Sequence, residues 1–320
     1  MDRQNHQALR AGVTAILFAL VFRLWGTDFP EQISGILAQY FTDTETGRYV
    51  RFSPYIEAFS PWFVESPPPA IPAATEPTLP SFSDPGEIEL YYGCNVDPDL
   101  QTLLARPLQW DLADGEPAVL ILSTHSTESY TRSGEPYAEH SPWRTLDEHY
   151  NMLSIGDRVE TLLTEAGIRV VRDREIHDYP SYNGSYVHAR RSMGEYLAQF
   201  PSIRLVLDLH RDAAGDGQGQ MRTRATVKGK DSAQLMVVLG TNHEHYEENL
   251  SLGLKLHAQL QSQNPGIMRP LQLRSQRFNQ DLSTGALLVE VGAAGNTHPE
   301  ALIAAEALAE AIITLAKGTN

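Results

Sequence analysis

The chain has 320 residues, 42% of them apolar and 20% charged, which is enough apolar material for a packed core and excludes wholesale disorder. Its 25 Lys and Arg stand against 40 Asp and Glu, a formal charge of -15. That balance argues against nucleic acid as the main partner, because phosphate neutralisation needs clustered positive charge. A single cysteine, Cys94, excludes an internal disulfide and any Cys-rich zinc or iron–sulfur site, whereas eleven histidines leave a histidine–carboxylate metal site open.

Taken in chain order, the first thirty residues have the layout of an export segment. Arg3 and Arg10 precede an uncharged run from Ala11 to Phe22, and Arg23, Leu24 and Trp25 follow. The run is shorter than the roughly 20 residues of an ordinary membrane span. It suits a signal-peptide core, yet no small-x-small cleavage site follows it. Extended to Trp25 with Arg23 snorkelling, residues 1–27 read as an uncleaved anchor with the positive start inside. A cleaved signal and a buried amphipathic helix are the alternatives. Residues 28–86 read as a membrane-proximal segment: one short helix with Ile33, Ile36, Leu37 and Tyr40 on a face, then eight prolines from Pro61 to Pro85. Proline at that density removes backbone donors and favours extended conformations, so this stretch reads as a semi-rigid stalk. The rest of the chain is then expected on the extracytoplasmic side of the cytoplasmic membrane.

Residues 87–320 read as one α/β domain. Strand-like apolar runs occur at Ala118–Ser123, Ile168–Val171, Ile203–Leu209, Leu235–Leu239 and Ala286–Val291. Helical patterns lie between and after them at Ile155–Ala166, His188–Phe200, His245–Gln261 and His298–Ala316. The alternation predicts a mostly parallel sheet with helices on both faces. The last helix opens on a capping box, Thr297-His298-Pro299-Glu300, with Pro in the first turn where its missing N–H is harmless.

In such sheets active groups gather at the carboxyl ends of strands. Three strand ends here carry polar groups. Val119-Leu120-Ile121-Leu122 empties into Ser123-Thr124-His125-Ser126-Thr127-Glu128-Ser129-Tyr130, with His125 and Glu128 three apart. Leu205-Val206-Leu207-Asp208-Leu209-His210-Arg211-Asp212 puts Asp208 and His210 on one face, because strand side chains alternate. Leu287-Leu288-Val289-Glu290-Val291-Gly292 holds a carboxylate in an apolar run, where carboxylates are rare without partners. Two histidines plus one carboxylate match a catalytic zinc site. Zinc lowers the pKa of a bound water toward about 7, and a further carboxylate must then carry the proton, a part that suits Glu290. The bland alternatives are a structural histidine at each strand end, Glu128 as a turn cap and Glu290 paired with an arginine.

These segments together resemble the stage II sporulation protein P family, membrane-anchored N-acetylmuramoyl-L-alanine amidases. The resemblance runs in order through Leu120–Tyr130, His177–Tyr186, Asp208–Asp212, Gly240–His243 with Glu247–Asn249, Asn279–Gly292 and Asn296-Thr297. It implies a zinc-amidase (phosphorylase/hydrolase-like) fold with Zn2+ held by His125 and His210 and with Glu290 as catalytic carboxylate. Glu128 is implied as third ligand or as a group orienting water or a ligand. Ser123 departs from the pattern, standing where the family often has the first histidine of H-T-H. The implied reaction is hydrolysis of the amide between N-acetylmuramic acid and L-alanine of the peptidoglycan stem, beside a glycan-strand-cleaving partner enzyme. A zinc carboxypeptidase-type peptidase and a catalytically silent wall-binding scaffold are the rival readings.

Other segments have quieter readings. Asp208 either orients a ligand from behind or binds a backbone amide. Arg211 and Asp212 form a rim ion pair or contact substrate, and Tyr182 and Asn183 belong to a loop that either stacks on sugar or packs itself down. Arg190 and Arg191 face stem carboxylates or water. His243 and His245, beside Glu244, Glu247 and Glu248, invite a second metal, but a solvated, capped helix start is favoured. Gly215–Gly219 is not G-x-G-x-x-G and reads as a mobile loop near His210. Cys94 lies outside every matched block and reads as inert.

Overall fold

Val119–Leu122 is a strand buried along its whole length, as a run without polar alternation requires when both faces of a sheet are covered. The computed structural model describes residues 88–317 apart from 109, 111, 113–114 and 215–219. The expected anchor, the proline-rich stalk and the Gly215–Gly219 loop lie outside the described residues. Among those described, no helix is long and apolar enough to cross a membrane.

Among the described residues, nine strands and five α-helices follow in order: β1 Leu90–Gly93, α1 Leu100–Ala105, β2 Val119–Leu122, α2 Met152–Glu165, β3 Val170–Arg172, α3 Ser185–Gln199, β4 Leu205–Asp212, β5 Ala225–Val227, β6 Lys230–Ser232, β7 Leu235–Gly240, α4 Tyr246–Gln263, β8 Leu271–Arg274, β9 Ala286–Ala293 and α5 His298–Lys317. A single 3-10 turn spans Gln280–Leu282. Seven strands form one sheet in the order β1-β8-β7-β9-β4-β2-β3, and β5 with β6 makes a separate antiparallel hairpin. Five of the six neighbouring pairs in the large sheet are parallel, and only β7 with β9 is antiparallel. The sheet is therefore two parallel blocks that point in opposite directions.

Strand alternation divides the interior in two. Val119, Ile121, Leu205, Leu207, Leu209, Leu287 and Val289 join α2, α4 and α5 in the larger core. Leu120, Leu122, Val206 and Ala286 point the other way, against Ala189 and Met193 of α3. The face under α3 is apolar only at the amino-terminal part of each strand. Toward the carboxyl ends its positions are Asp208 and His210 on β4 and Glu290 on β9. The mostly parallel α/β architecture with helices on both faces is thus the observed one.

Local signals set several boundaries. α2 begins at Met152 because the Asn151 side chain accepts from the Leu153 N–H at 2.9 Å, a typical N-cap. Glu300 reaches back to the Thr297 N–H at 2.9 Å, the carboxylate half of the capping box. The sequence reading passes over β1, β8, the β5–β6 hairpin and α1. Each is short, and none carries the long apolar run or extended periodicity that marks the larger elements.

Candidate functional site

The segment after β2 is fastened before it can offer any chemistry. Thr124 donates its N–H and Oγ1 to the two carboxylate oxygens of Asp208, at 2.8 and 2.7 Å, joining the ends of β2 and β4. Asp208 therefore binds a backbone amide, and it also stands against His210. Its burial works to raise its pKa, but His210 and the Thr124 bonds outweigh that and lower it. Past this clamp, His125 is buried, with Nε2 2.9 Å from the Tyr182 hydroxyl and Nδ1 without a partner. Burial, then the charge on His210, holds its pKa well below the ordinary histidine value.

β4 and β9 bring His210 and Glu290 side by side, paired in register. The rings of His125 and His210 meet edge to face with centroids 5.1 Å apart. His210 Nε2 lies 2.9 Å from Asp208 Oδ1, and its Nδ1 lies 3.8 Å from Glu128 Oε2. Burial opposes a charge on His210, but Asp208, Glu128 and Glu290 outweigh it and raise the pKa to about 9. Glu290 shows the reverse. Burial, reinforced by Glu128 and Asp212 against the pull of His210 and Arg211, pushes its carboxyl up to about 8. Its Oε2 is enclosed and unpartnered, so the reading of Glu290 as an arginine's partner does not hold for that atom.

Glu128 is enclosed by cations. It accepts from the Arg211 N–H at 3.1 Å and the Arg211 guanidinium at 3.3 Å, with Arg144 at 3.4 Å. The register of β4 shifts between His210 and Asp212, which lets Arg211 reach Glu128 despite being next in sequence to His210. Arg211 and Asp212 are not a rim ion pair: Asp212 is 2.7 Å from Arg269 instead. Arg144 goes on to Asp178 at 2.6 Å, and Asp178 holds Thr127 through both its carboxylate oxygens.

Three contributors escape the sequence reading. Arg144 sits outside every matched block. Asp178 lies inside one but beside no strand end. Tyr186 packs edge-on to His125 and parallel to His210, at 5.5 and 6.4 Å between centroids. Asn183 is exposed, and its side chain is not brought to the histidines; its carbonyl accepts from Ser181 at 3.4 Å. Arg190 is bidentate to Asp281 at 2.7 Å and Arg191 pairs with Glu175 at 3.0 Å.

The donors fit a zinc ion in kind. Two imidazoles and a choice of carboxylates stand at adjacent strand ends, and His125 Nδ1 and Glu290 Oε2 are enclosed polar atoms without hydrogen-bond partners. Among the described residues, no three His, Cys, Asp or Glu side chains already stand at metal-holding spacing. The physical reason is visible in the contacts, since Glu128 is drawn to Arg211 and Arg144, and Asp208 to Thr124. His245 occupies the N-cap position of α4 without a side-chain capping bond, and Glu247 and Glu248 lie in the first turn.

The family model for Stage II sporulation protein P (SpoIIP) matches residues 79–313. The chain belongs to this family. SpoIIP from Bacillus subtilis (strain 168) is 29% identical over 203 residues, which cover 60% of this chain and 49% of that one. The chain thus aligns with about half the length of this curated relative. Among solved structures, the CwlD amidase from Clostridioides difficile in complex with the GerS lipoprotein is 13% identical, covering 63% of this chain and 99% of that one, with a TM-score of 0.40. The N-acetylmuramoyl-L-alanine amidase AmiC2 of Nostoc punctiforme is 14% identical over 63% of this chain and 96% of that one, with a TM-score of 0.37.

In this SpoIIP-family chain the recognisable blocks divide by position. β7 runs against β9, so Gly240–His243 falls at the opposite end of the sheet from His210 and Glu290. A Cβ on Gly240 would meet Gln276 O at 2.3 Å, which is why glycine is needed there. Gln280 accepts from the Gly240 N–H at 2.7 Å and donates to Val238 O at 2.9 Å. Asn249 in turn links Gln280 to β9, donating to Gln280 O and accepting from the Ala286 N–H. These motif residues hold the sheet together.

Proposed function

We propose that this chain is a zinc-dependent peptidoglycan hydrolase that cleaves the amide between N-acetylmuramic acid and the L-alanine of the stem peptide. The observation that carries the reading is the gathering of His125, His210 and Glu290 at the carboxyl ends of the adjacent strands β2, β4 and β9, with His125 Nδ1 and Glu290 Oε2 enclosed and unpartnered and His210 set against Asp208. The bond is inferred from the family resemblance, because strand-end geometry alone does not choose a substrate.

In this reading His125, His210 and Glu128 hold the ion. When bound, zinc supplies a Lewis acid for the scissile carbonyl and makes water a stronger acid. The protein does the rest. Glu290 takes a proton from the attacking water as its oxygen bonds to the carbonyl carbon, and returns it to the L-alanine nitrogen as the C–N bond breaks. Glu290 suits that part because one of its carboxylate oxygens is enclosed and free of any donor. Asp208 fixes His210 from behind, and Arg211 and Arg144 fix Glu128. The N-terminal segment is proposed to hold this domain on the outer side of the cytoplasmic membrane.

The test is to digest purified peptidoglycan with the full-length chain and identify the products by mass spectrometry, with metal analysis of the same preparation. Stem peptides with a free L-alanine amino terminus, and about one zinc per chain, are expected. Stem peptides shortened at their carboxyl end would instead indicate a carboxypeptidase, and intact material from a folded, zinc-loaded preparation would overturn the hydrolase reading.

A further inference from the structure

Tyr182 comes from the loop between β3 and α3, far in sequence from the strand ends, yet it lies on His125. The two rings are stacked, with centroids 4.4 Å apart and planes 12° from parallel. The Tyr182 hydroxyl is also 2.9 Å from His125 Nε2, so one side chain controls both the tilt of the imidazole and one of its nitrogens. The Arg144 guanidinium lies over the Tyr182 ring, 4.7 Å from its centroid. Arg144 is in turn the cation between Glu128, at 3.4 Å, and Asp178, at 2.6 Å. The series His125, Tyr182, Arg144, Glu128 therefore joins two of the groups assigned to the ion through one aromatic ring.

The loop that presents Tyr182 is itself anchored. His177 Nε2 is 3.0 Å from Asp173 Oδ2, and the Ser192 hydroxyl of α3 donates to that oxygen at 2.6 Å. The next residue, Asp178, is fixed to Thr127. A tyrosine held this way has little freedom to swing out and stack on a sugar.

We propose that Tyr182 is a positioning residue for the metal centre: it accepts a hydrogen bond from His125 Nε2–H, fixing the tautomer that leaves Nδ1 with a lone pair for the ion. Nδ1 is the ring nitrogen that is enclosed and has no partner, as this assignment requires. A ligand imidazole typically donates its other N–H to a protein acceptor, which sets ring orientation and ligand basicity. Removal of such a group lowers metal affinity or activity by roughly 10–100-fold. The proposal rests on His125 being a ligand, the reading given above, and the experiment separates the two.

Zinc affinity is measured by chelator competition on the full-length chain and on its Tyr182→Phe, Tyr182→Leu and His125→Ala variants, with kcat and KM for peptidoglycan fragments on the same preparations. Tyr182→Phe keeps the stack and loses the hydrogen bond, so zinc affinity should fall about 10-fold; Tyr182→Leu loses both, and the fall should approach 100-fold. KM should stay near wild type in both. Heteronuclear NMR of the metal-free wild type should show the Nε2–H tautomer at His125, and Tyr182→Phe should weaken that preference. Wild-type zinc affinity in Tyr182→Leu together with a raised KM would overturn the proposal and make Tyr182 a substrate platform. A wild type that binds no zinc, or a His125→Ala variant that binds it normally, would instead defeat the ligand assignment itself.

Discussion

Glu128 and Glu290 are carboxylates within one enclosed site, and their neighbours give them different work. Glu128 is surrounded by two guanidinium groups and a backbone N–H, whereas Glu290 keeps an enclosed oxygen with no donor. A proton carrier is needed for turnover and not for holding the ion. Glu290→Gln should therefore keep the fold and its zinc while activity falls by about 10²–10⁴-fold. Zinc content and muropeptide release on one preparation check this, and near-normal release would make Glu290 structural. Glu128→Ala should behave otherwise. It leaves the buried Arg211 guanidinium without its carboxylate, so urea unfolding should show a loss on the order of 3 kcal/mol besides weaker zinc binding. The four principal residues were legible because strand alternation and strand-end position mark them. Arg144 and Asp178 were not, because their roles arise only when loops distant in sequence meet at Glu128 and Thr127.

At the scale of elements, what the sequence discloses follows length and burial. β2, β4, β7 and β9 are buried nearly throughout and appear as apolar runs. β1 sits at the sheet edge with Tyr91 45% exposed, and its Leu-Tyr-Tyr-Gly gives no such run. The antiparallel turn of β7 against β9 is equally silent in the sequence, because a buried strand reads alike in either direction. α4 carries a testable feature of its own in His257. The residue is buried, its Nδ1 has no partner, and burial lowers its pKa from 6.5 to about 4. Between those values the unfolded chain binds a proton that the folded chain refuses, so stability falls as pH drops through 6.5. From pH 7.5 to pH 5 the loss traceable to this one group is about 2 kcal/mol. Urea unfolding of wild type and His257→Leu at the two pH values measures it. The variant should lose that much less on acidification, and an equal loss in both would show that His257 ionises freely.

The whole domain feels the site through charge. Asp208, Glu128 and Glu290 meet beneath α3, and His210, Arg211 and Arg144 are cations set against them. A divalent cation that binds this cluster in the folded chain, and finds no preformed cluster in the unfolded one, must raise stability by mass action. The gain is RT ln(1 + [L]/Kd), about 2.7 kcal/mol when free zinc is a hundredfold above its dissociation constant. Because the site joins β2, β4 and β9, three neighbouring interior strands of the sheet, the gain should appear in the global unfolding transition and not as local stiffening. Thermal unfolding of the full-length chain, with zinc and with a chelator, reads it directly. Wild type should melt several degrees higher with zinc, and Glu290→Gln should keep most of that shift because Glu290 is not a ligand. The His125→Ala, His210→Ala double variant should melt at one temperature in both conditions. A zinc-dependent shift that survives in the double variant would place the ion elsewhere on the protein and remove the metal from this site.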